Sequence, residues 1–113
     1  MKVYISGYGL VSSLGNTPKD VFGALLENRT AVREIEDWRT IKGLNCRLGA
    51  SAAHYDSSTL PRVARRTMSP MSEMAALASK QALQHANIDL QETNLSRTLL
   101  SMGSTTGSPI SFE

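Results

Sequence analysis

The feature that most constrains the fold is the passage from an apolar run to a late helix near the N-terminus. The run Val3–Ile5 carries β-branched and aromatic side chains and predicts a buried strand. Gly7 and Gly9 follow it, but Pro18 is the first residue suited to begin a helix. A dinucleotide-binding fingerprint places its glycines at the helix start, so this passage argues against dinucleotide binding. The glycines instead predict close packing of the backbone, which the missing Cβ atom permits.

The first helix is predicted from its capping residues. Thr17 can cap the N-terminus, and Pro18 occupies a first position that needs no amide donor. Asp20 suits a capping box and the positive end of the helix. We expect the helix to end near Asn28. Its apolar residues form one stripe that we expect to pack on a sheet, namely Val21, Phe22, Leu25 and Leu26.

The strongest helix begins at Ser69 and Pro70, and we expect it to continue to Ala86 and to end near Asn87. Small residues recur along one face, which allows a neighbouring backbone to approach closely. We therefore expect this helix to be buried against a sheet. The stripe consists of Met71, Met74, Ala75, Ala78, Ala82 and Ala86, widened by Leu77 and Leu83.

The order of elements indicates an α/β fold. The segment 29–61 predicts a surface excursion with short irregular elements, and Thr98–Met102 predicts a second strand. Strand, helix, helix, strand is the order of a right-handed crossover between two parallel strands. Two strands do not make a stable parallel sheet, so we expect further chain or a partner to complete the core. Pro109–Glu113 reads as a turn and the start of another helix, which favours a truncated chain.

The composition limits the cellular compartment and the classes of partner that we expect. With 113 residues, of which 41% are hydrophobic, the chain fits one globular domain. A net charge of +2, without a basic stripe carrying interleaved aromatics, gives no indication of nucleic acid. Cys46 is the single cysteine, which excludes an internal disulfide and a thiolate metal site of zinc-finger spacing and favours a reducing compartment. We find no signal peptide and no apolar run of about 18 residues. We expect a cytoplasmic protein without a membrane partner.

Three segments together resemble a known family. Besides the N-terminal passage, Arg62–Ser69 resembles a basic entry to a long helix, and Met102–Pro109 resembles the next strand and its Gly/Ser loop. In this order and separation the segments resemble the β-ketoacyl-acyl-carrier-protein synthases, over the whole chain. The resemblance implies a partial thiolase-like α/β fold, the strand-helix-helix-strand piece of the N-terminal half. Residues 1–113 would be an N-terminal fragment of the synthase N-terminal domain.

The resemblance also implies an activity. These enzymes condense an acyl thioester with malonyl-carrier protein by a decarboxylative Claisen reaction in fatty acid or polyketide biosynthesis. Their nucleophilic Cys and two His lie beyond the position that matches Glu113, so no catalytic residue is assigned and we expect the chain alone to be inactive. Phosphopantetheine is delivered by the acyl carrier protein, so the chain needs no cofactor or metal of its own. The family forms homodimers, or heterodimers with a related subunit.

Two other functions stay open at this point. A chain-length-factor subunit keeps the fold and the dimer surface but lacks the Cys, and shapes the pocket of a catalytic partner. The second open function is that of a short module that only binds carrier protein.

Three arginines form the first candidate site. If their segment is helical, Arg62, Arg65 and Arg66 share one face, because side chains three and four positions apart are neighbours. Such a cluster is commonly a solvated, ion-paired face. The resemblance implies instead that the basic positions here dock the acidic helix of acyl carrier protein. Val63 stands where relatives carry a Lys.

The loop after the second predicted strand is the other candidate site. The resemblance implies that this loop lines the acyl pocket near the dimer interface, and that Thr106 shortens or reshapes that pocket. The alternative is a structural turn, since Gly and Ser commonly mark turns. Ser104 does not fit a nucleophile elbow, because no His or Asp partner can be placed beside it.

The remaining chemically reactive side chains predict no site. Cys46 lies on no strand-to-helix turn and is interpreted as a half-buried structural thiol. His54 and His85 are far apart in sequence and have no ligand at metal-binding spacing, so both are interpreted as surface or helix residues.

Overall fold

The computed structural model describes residues 1–93 and 95–104. Over this part of the chain the α-helices are α1 (Pro18–Leu26), α2 (Arg62–Arg65) and α3 (Pro70–His85). The strands are β1 (Arg33–Glu34) and β2 (Leu48–Gly49), and single turns of 3-10 helix span Glu36–Thr40, Ser57–Thr59 and Leu95–Arg97. The chain divides into two units, one joining Met1–Leu10 to the chain from Asp56 onward, the other formed by Val11–Tyr55. Helices and a small sheet make this an α/β piece.

The N-terminus of α1 confirms the capping prediction. The hydroxyl of Thr17 accepts a hydrogen bond from the Asp20 amide at 3.2 Å and donates to the Asp20 carboxylate at 2.6 Å. The carboxylate therefore bonds the capping hydroxyl, whereas a capping box would bond the backbone amide of the capping residue. The helix ends slightly earlier than predicted, since Glu27 is its C-cap and Asn28 has a left-handed φ of 51°.

The apolar stripe of α1 is a wrong prediction. Ala24 is the buried residue of this helix, with 0% of its surface exposed, whereas Phe22, Leu25 and Leu26 are 63%, 58% and 69% exposed. The described unit Val11–Tyr55 supplies no parallel sheet for those side chains to cover. Helical periodicity identifies an apolar face, but whether that face is buried depends on the surface opposite it.

A two-strand hairpin organises the middle of the chain. β1 and β2 pair antiparallel, with Arg33 opposite Gly49 and Glu34 opposite Leu48. The side chain of Arg39 reaches back to the hairpin, where its Nε and Nη2 atoms donate to the two carboxylate oxygens of Glu34 at 3.0 and 2.9 Å. This bidentate hydrogen bond and the positive charge of Arg39 lower the pKa of Glu34. The segment predicted to be irregular thus contains a short, locally braced hairpin.

The bounds and caps of helix α3 confirm the sequence prediction, but its expected packing against a sheet is wrong for the described residues, where Gly7 and Gly9, which belong to no strand, lie against its small residues. The Ser69 hydroxyl accepts from the Ser72 amide at 3.3 Å, and Pro70 occupies the first turn. At the other end Ala86 is the C-cap, and Asn87 takes a left-handed φ of 54°. Leu77 is the buried residue of the helix, and most of the predicted stripe is half-buried.

The two glycines near the N-terminus make the close backbone packing that was predicted, and the structure shows that their neighbour is α3. A Cβ atom added to Gly9 would overlap the carbonyl oxygen of Ala78, and one added to Gly7 would overlap that of Ala82. The Leu10 amide donates to Oε1 of Gln81 at 3.0 Å and fixes this contact. The backbone around Gly7 and Gly9 therefore packs closely against the small residues of α3, as their size permits.

Both predicted strands of the parallel sheet are wrong for the described chain. Neither Val3–Ile5 nor Thr98–Met102 belongs to a strand, and Ile5 and Leu99 are 89% and 88% exposed. A strand requires the backbone groups of a neighbour, and within residues 1–93 and 95–104 the hairpin β1–β2 is the only ladder. The glycines that follow Val3–Ile5 lie against a helix, and a helix offers no edge for strand pairing.

Candidate functional site

The predicted basic cluster lies on a short helix with an anchored entry. Asp56 caps the preceding turn, since its carboxylate accepts from the amide and the hydroxyl of Ser58, both at 2.8 Å. Leu60 follows and is buried, with 8% of its surface exposed. Pro61 then precedes α2, and Arg66 caps the helix with helical φ and ψ values of −61° and −25°. The turn and the buried Leu60 together fix where α2 begins.

The three arginines differ in exposure. Arg62 and Arg66 are exposed, whereas Arg65 is half-buried. The Nε atom of Arg65 is buried and has no hydrogen-bond partner in the described part of the chain. Helical residues follow one another at about 100° around the axis, so Arg62 and Arg66 point within about 40° of each other while Arg65 points about 60° to the other side of Arg62. Arg62 and Arg66 thus form the solvent-facing pair.

A further cation lies near the start of this helix. The ammonium group of Lys80, on α3, donates to the carbonyl oxygen of Thr59 at 3.2 Å. Lys80 is exposed, and Thr59 precedes Arg62 by three residues. Lys80 was not predicted from the sequence, because no local signal brings residue 80 next to residue 59. We call Arg62, Arg66 and Lys80 the basic face.

The charges of the basic face are available to a partner. Within residues 1–93 and 95–104, neither Arg62 nor Arg66 forms an ion pair. Both arginines are also exposed to solvent, and their role in docking stays a prediction. Exposed cations without internal partners can attract an acidic surface at long range, and salt weakens that attraction.

The predicted acyl-pocket residue, Thr106, lies outside the described residues. Gly103 and Ser104, at the start of the same loop, are described and exposed. The role of Thr106 stays a prediction.

The prediction for Cys46 is wrong in its burial, whereas those for the histidines are confirmed. Cys46 is exposed. It lies in the irregular connection before β2, where no apolar layer covers it. His54 is exposed, and its carbonyl oxygen accepts from Nδ2 of Asn16 at 2.7 Å. His85 lies in the last turn of α3, with its ring centroid 4.1 Å from that of Tyr8.

An open cleft of about 380 Å³ lies within the unit Val11–Tyr55. Arg33, His54 and the hydroxyl residues Ser13, Thr30 and Ser51 line it, together with small apolar residues. Arg33, His54, Thr30 and Ser51 are exposed, and Ser13 is half-buried. The cleft is a surface depression and does not enclose a ligand.

The described residues contain neither a metal-binding cluster nor a helix suited to span a membrane. No cluster of three or more His, Cys, Asp or Glu side chains is arranged to hold a metal ion within residues 1–93 and 95–104. Among the helices of that same part of the chain, none has the length and apolar character needed to span a membrane.

Comparison with solved structures shows which fold the chain resembles. The chain is similar to the crystal structure of a β-ketoacyl synthase from Burkholderia phymatum STM815, with a TM-score of 0.71 and 33% sequence identity. The alignment covers 79% of this chain and 22% of that one. The fold class is therefore that of a condensing enzyme.

The family follows from the sequence itself. Residues 1–112 match the family described as β-ketoacyl synthase, N-terminal domain, and the chain belongs to it. It is similar to 3-oxoacyl-acyl-carrier-protein synthase 2 of Synechocystis sp., at 28% identity over 82% of this chain, and to the protein of the same name from Coxiella burnetii, at 27% over 94%. The chain spans 22% and 26% of the length of these relatives.

Proposed function

We propose that the natural-length protein carrying this chain is a 3-oxoacyl-acyl-carrier-protein synthase. The observation that carries the proposal is the family match over residues 1–112, joined to two relatives that share this name. Residues 1–113 would then be the first part of the N-terminal domain. A cytoplasmic location and a dimer with a like or related subunit belong to the same proposal.

The proposed reaction needs groups beyond this chain. A Cys thiolate takes the acyl group from its carrier thioester and releases the carrier thiol. Malonyl-carrier protein then loses carbon dioxide, and the resulting enolate attacks the acyl-enzyme carbonyl, releasing the Cys thiolate and the 3-oxoacyl-carrier product. Two histidines assist decarboxylation and stabilise the enolate oxygen, while backbone amides hold the thioester oxyanion. We assign none of these roles to Cys46, His54 or His85.

In this proposal the basic face docks the acyl carrier protein. Arg62 and Arg66 are exposed, point in similar directions and have no ion-pair partner in the described chain, so they can meet an acidic helix directly. Arg65 belongs to the same predicted cluster, and its half-buried side chain adds positive charge behind the exposed pair. Phosphopantetheine would arrive with the carrier, so the synthase needs no cofactor of its own.

The activity is tested with the natural-length protein. The protein is supplied with carrier protein that is loaded with an acyl group and with malonyl-carrier protein. It should release carbon dioxide and form the 3-oxoacyl-carrier product, which mass spectrometry detects. The chain 1–113 alone should form none. Absence of product from the natural-length protein contradicts the synthase proposal, and activity restored by adding a related catalytic subunit would instead establish the chain-length-factor alternative.

The docking role is tested with charge variants of the basic face. The double variant Arg62→Ala/Arg66→Ala should raise KM for the acyl-carrier protein about tenfold at low salt and leave kcat unchanged, because exposed ion pairs contribute about 0.2–1 kcal/mol each and add long-range attraction. Arg33→Ala, an exposed arginine of the other unit, is the matched control and should leave KM unchanged. An unchanged KM for the double variant would exclude docking at this face.

The acyl-pocket role of Thr106 is tested through product length. Thr106→Gly should shift selection toward longer acyl chains, because it removes a branched side chain from the proposed pocket. Unchanged chain-length selection would reject this role.

A further inference from the structure

The apolar residue on the proposed docking helix is as exposed as its charged neighbours. Val63 is 80% exposed and lies on α2 between Arg62 and Arg66 in sequence. An exposed valine far from any other feature needs no explanation. Val63, however, lies on the same surface as Arg62 and Arg66, which form no ion pair within the described residues.

Helical geometry places Val63 beside both arginines. At about 100° per residue, Arg66 points between Arg62 and Val63, and all three directions fall within about 100°. The methylene stems of Arg62 and Arg66 are apolar, with the charge only at the tip. Val63 and these two stems can therefore form one small apolar spot bordered by two guanidinium groups.

We infer that Val63 is a contact residue for the carrier helix, and that the occupant of this face is an acidic helix with an apolar side chain between its carboxylates. This inference rests on the proposed function, which makes acyl carrier protein the partner. Charge complementarity with Arg62 and Arg66 selects an acidic helix, and the spot around Val63 selects an apolar side chain near the centre of its contact. An apolar centre with a polar rim is the usual arrangement of a protein interface.

The two parts of this face have different effects on binding. Charges at the rim of an interface act mainly on the association rate and lose their effect as salt rises. Contacts at the centre act mainly on the dissociation rate, and burial of an apolar group does not depend on screening. The arginines should therefore raise the association rate of the carrier protein, and Val63 should lower its dissociation rate.

The test compares Val63→Thr with the arginine variants in the natural-length protein. Threonine has nearly the same shape as valine and no charge, so the substitution removes apolar character alone. Binding to immobilised acyl carrier protein is followed by surface plasmon resonance at low and high salt. Val63→Thr should raise the dissociation rate about three- to tenfold at both salt concentrations. Arg62→Ala/Arg66→Ala should lower the association rate at low salt and lose most of its effect at high salt.

A matched control and the contrary outcomes make the test decisive. Val32→Thr changes another exposed valine, 54% exposed and in the other unit, and should leave both rates unchanged. Circular dichroism checks that the variants keep the wild-type fold. If Val63→Thr leaves both rates unchanged while the arginine variant slows association, this inference is overturned and docking at the basic face stands. If neither variant affects binding, docking at this face fails as well.

Discussion

Gly9→Ala should destabilise the folded protein, because Gly9 has no room for a side chain. A Cβ atom there would overlap the Ala78 carbonyl oxygen and would lie 2.6 Å from Cβ of Gln81 and 2.8 Å from the Ala82 amide nitrogen. Two of these three neighbours are backbone atoms of α3, which cannot rotate away as a side chain could. The added methyl group must therefore push the N-terminal segment off the helix.

The magnitude follows from two contributions to the free energy of unfolding. Overpacking a close contact costs about 1–3 kcal/mol. Displacement of the segment also breaks the 3.0 Å hydrogen bond from the Leu10 amide to Gln81, and such a bond contributes about 0.5–1.5 kcal/mol. We expect Gly9→Ala to lower the free energy of unfolding by about 2–4 kcal/mol.

Urea unfolding of the natural-length protein, followed by circular dichroism, measures this loss. Gly23→Ala is the matched control, because Gly23 lies within α1 and an added Cβ meets no atom within 4 Å. That substitution should stabilise the protein by about 0.5–1 kcal/mol through helix propensity. If Gly9→Ala unfolds at the wild-type urea concentration, the segment Met1–Leu10 does not lie against α3 as described, and the reasoning is refuted.

Two further predictions concern a helix cap and an ion pair. Ser69→Ala should lower the free energy of unfolding by about 1 kcal/mol and Ser69→Asp should largely retain it, because aspartate also caps helices; equal urea midpoints for all three proteins would contradict the cap. Arg39→Gln should raise the pKa of Glu34 toward its ordinary value, measured by NMR titration of the carboxyl carbon, while Lys42→Gln leaves that pKa unchanged. Because the fold lowers the pKa of Glu34, the stabilising contribution is present above the ordinary glutamate pKa and is lost as the pH falls through the lowered value. An unchanged Glu34 pKa in Arg39→Gln would contradict the bidentate contact.

Local capping chemistry was predictable from the sequence. Thr17 and Ser69 cap their helices through amides only three residues away, so residue type and spacing were sufficient. The left-handed Asn87 likewise ends α3 where the sequence predicted. The close approach of Gly7 and Gly9 was predictable in kind, since their small size indicated a packed backbone, but α3 as the neighbour was not.

The pairing and burial of elements were less predictable. The strands of the hairpin, Arg33–Glu34 and Leu48–Gly49, are two residues long, too short to show an alternating pattern. The exposed stripe of α1 and the unpaired Val3–Ile5 are apolar enough to predict burial, but burial requires an opposing surface that the described residues do not supply.

The candidate site likewise contains residues that could be predicted from the sequence and residues that could not. The short helix that the arginine spacing requires does form, because helix formation here depends on local positions, and the docking role of Arg62 and Arg66 stays a prediction. The spacing did not distinguish the half-buried Arg65, whose environment is set by distant packing. Nor did it bring in Lys80, which reaches the site from α3 through the Thr59 carbonyl oxygen.

The contact between the first residues and α3 sets an order of events during synthesis. The Leu10 amide and the Gln81 side chain are 71 positions apart, so the surface that receives the N-terminal segment does not exist when that segment is made. At about 5–20 residues per second, the ribosome needs about 4–15 s to add the intervening chain. During that interval Gly7 and Gly9 have no helix to pack against, and loop closure over this distance is slow compared with the local folding of α1. The N-terminal segment is therefore among the first parts of the chain to be made and among the last to reach its final packing.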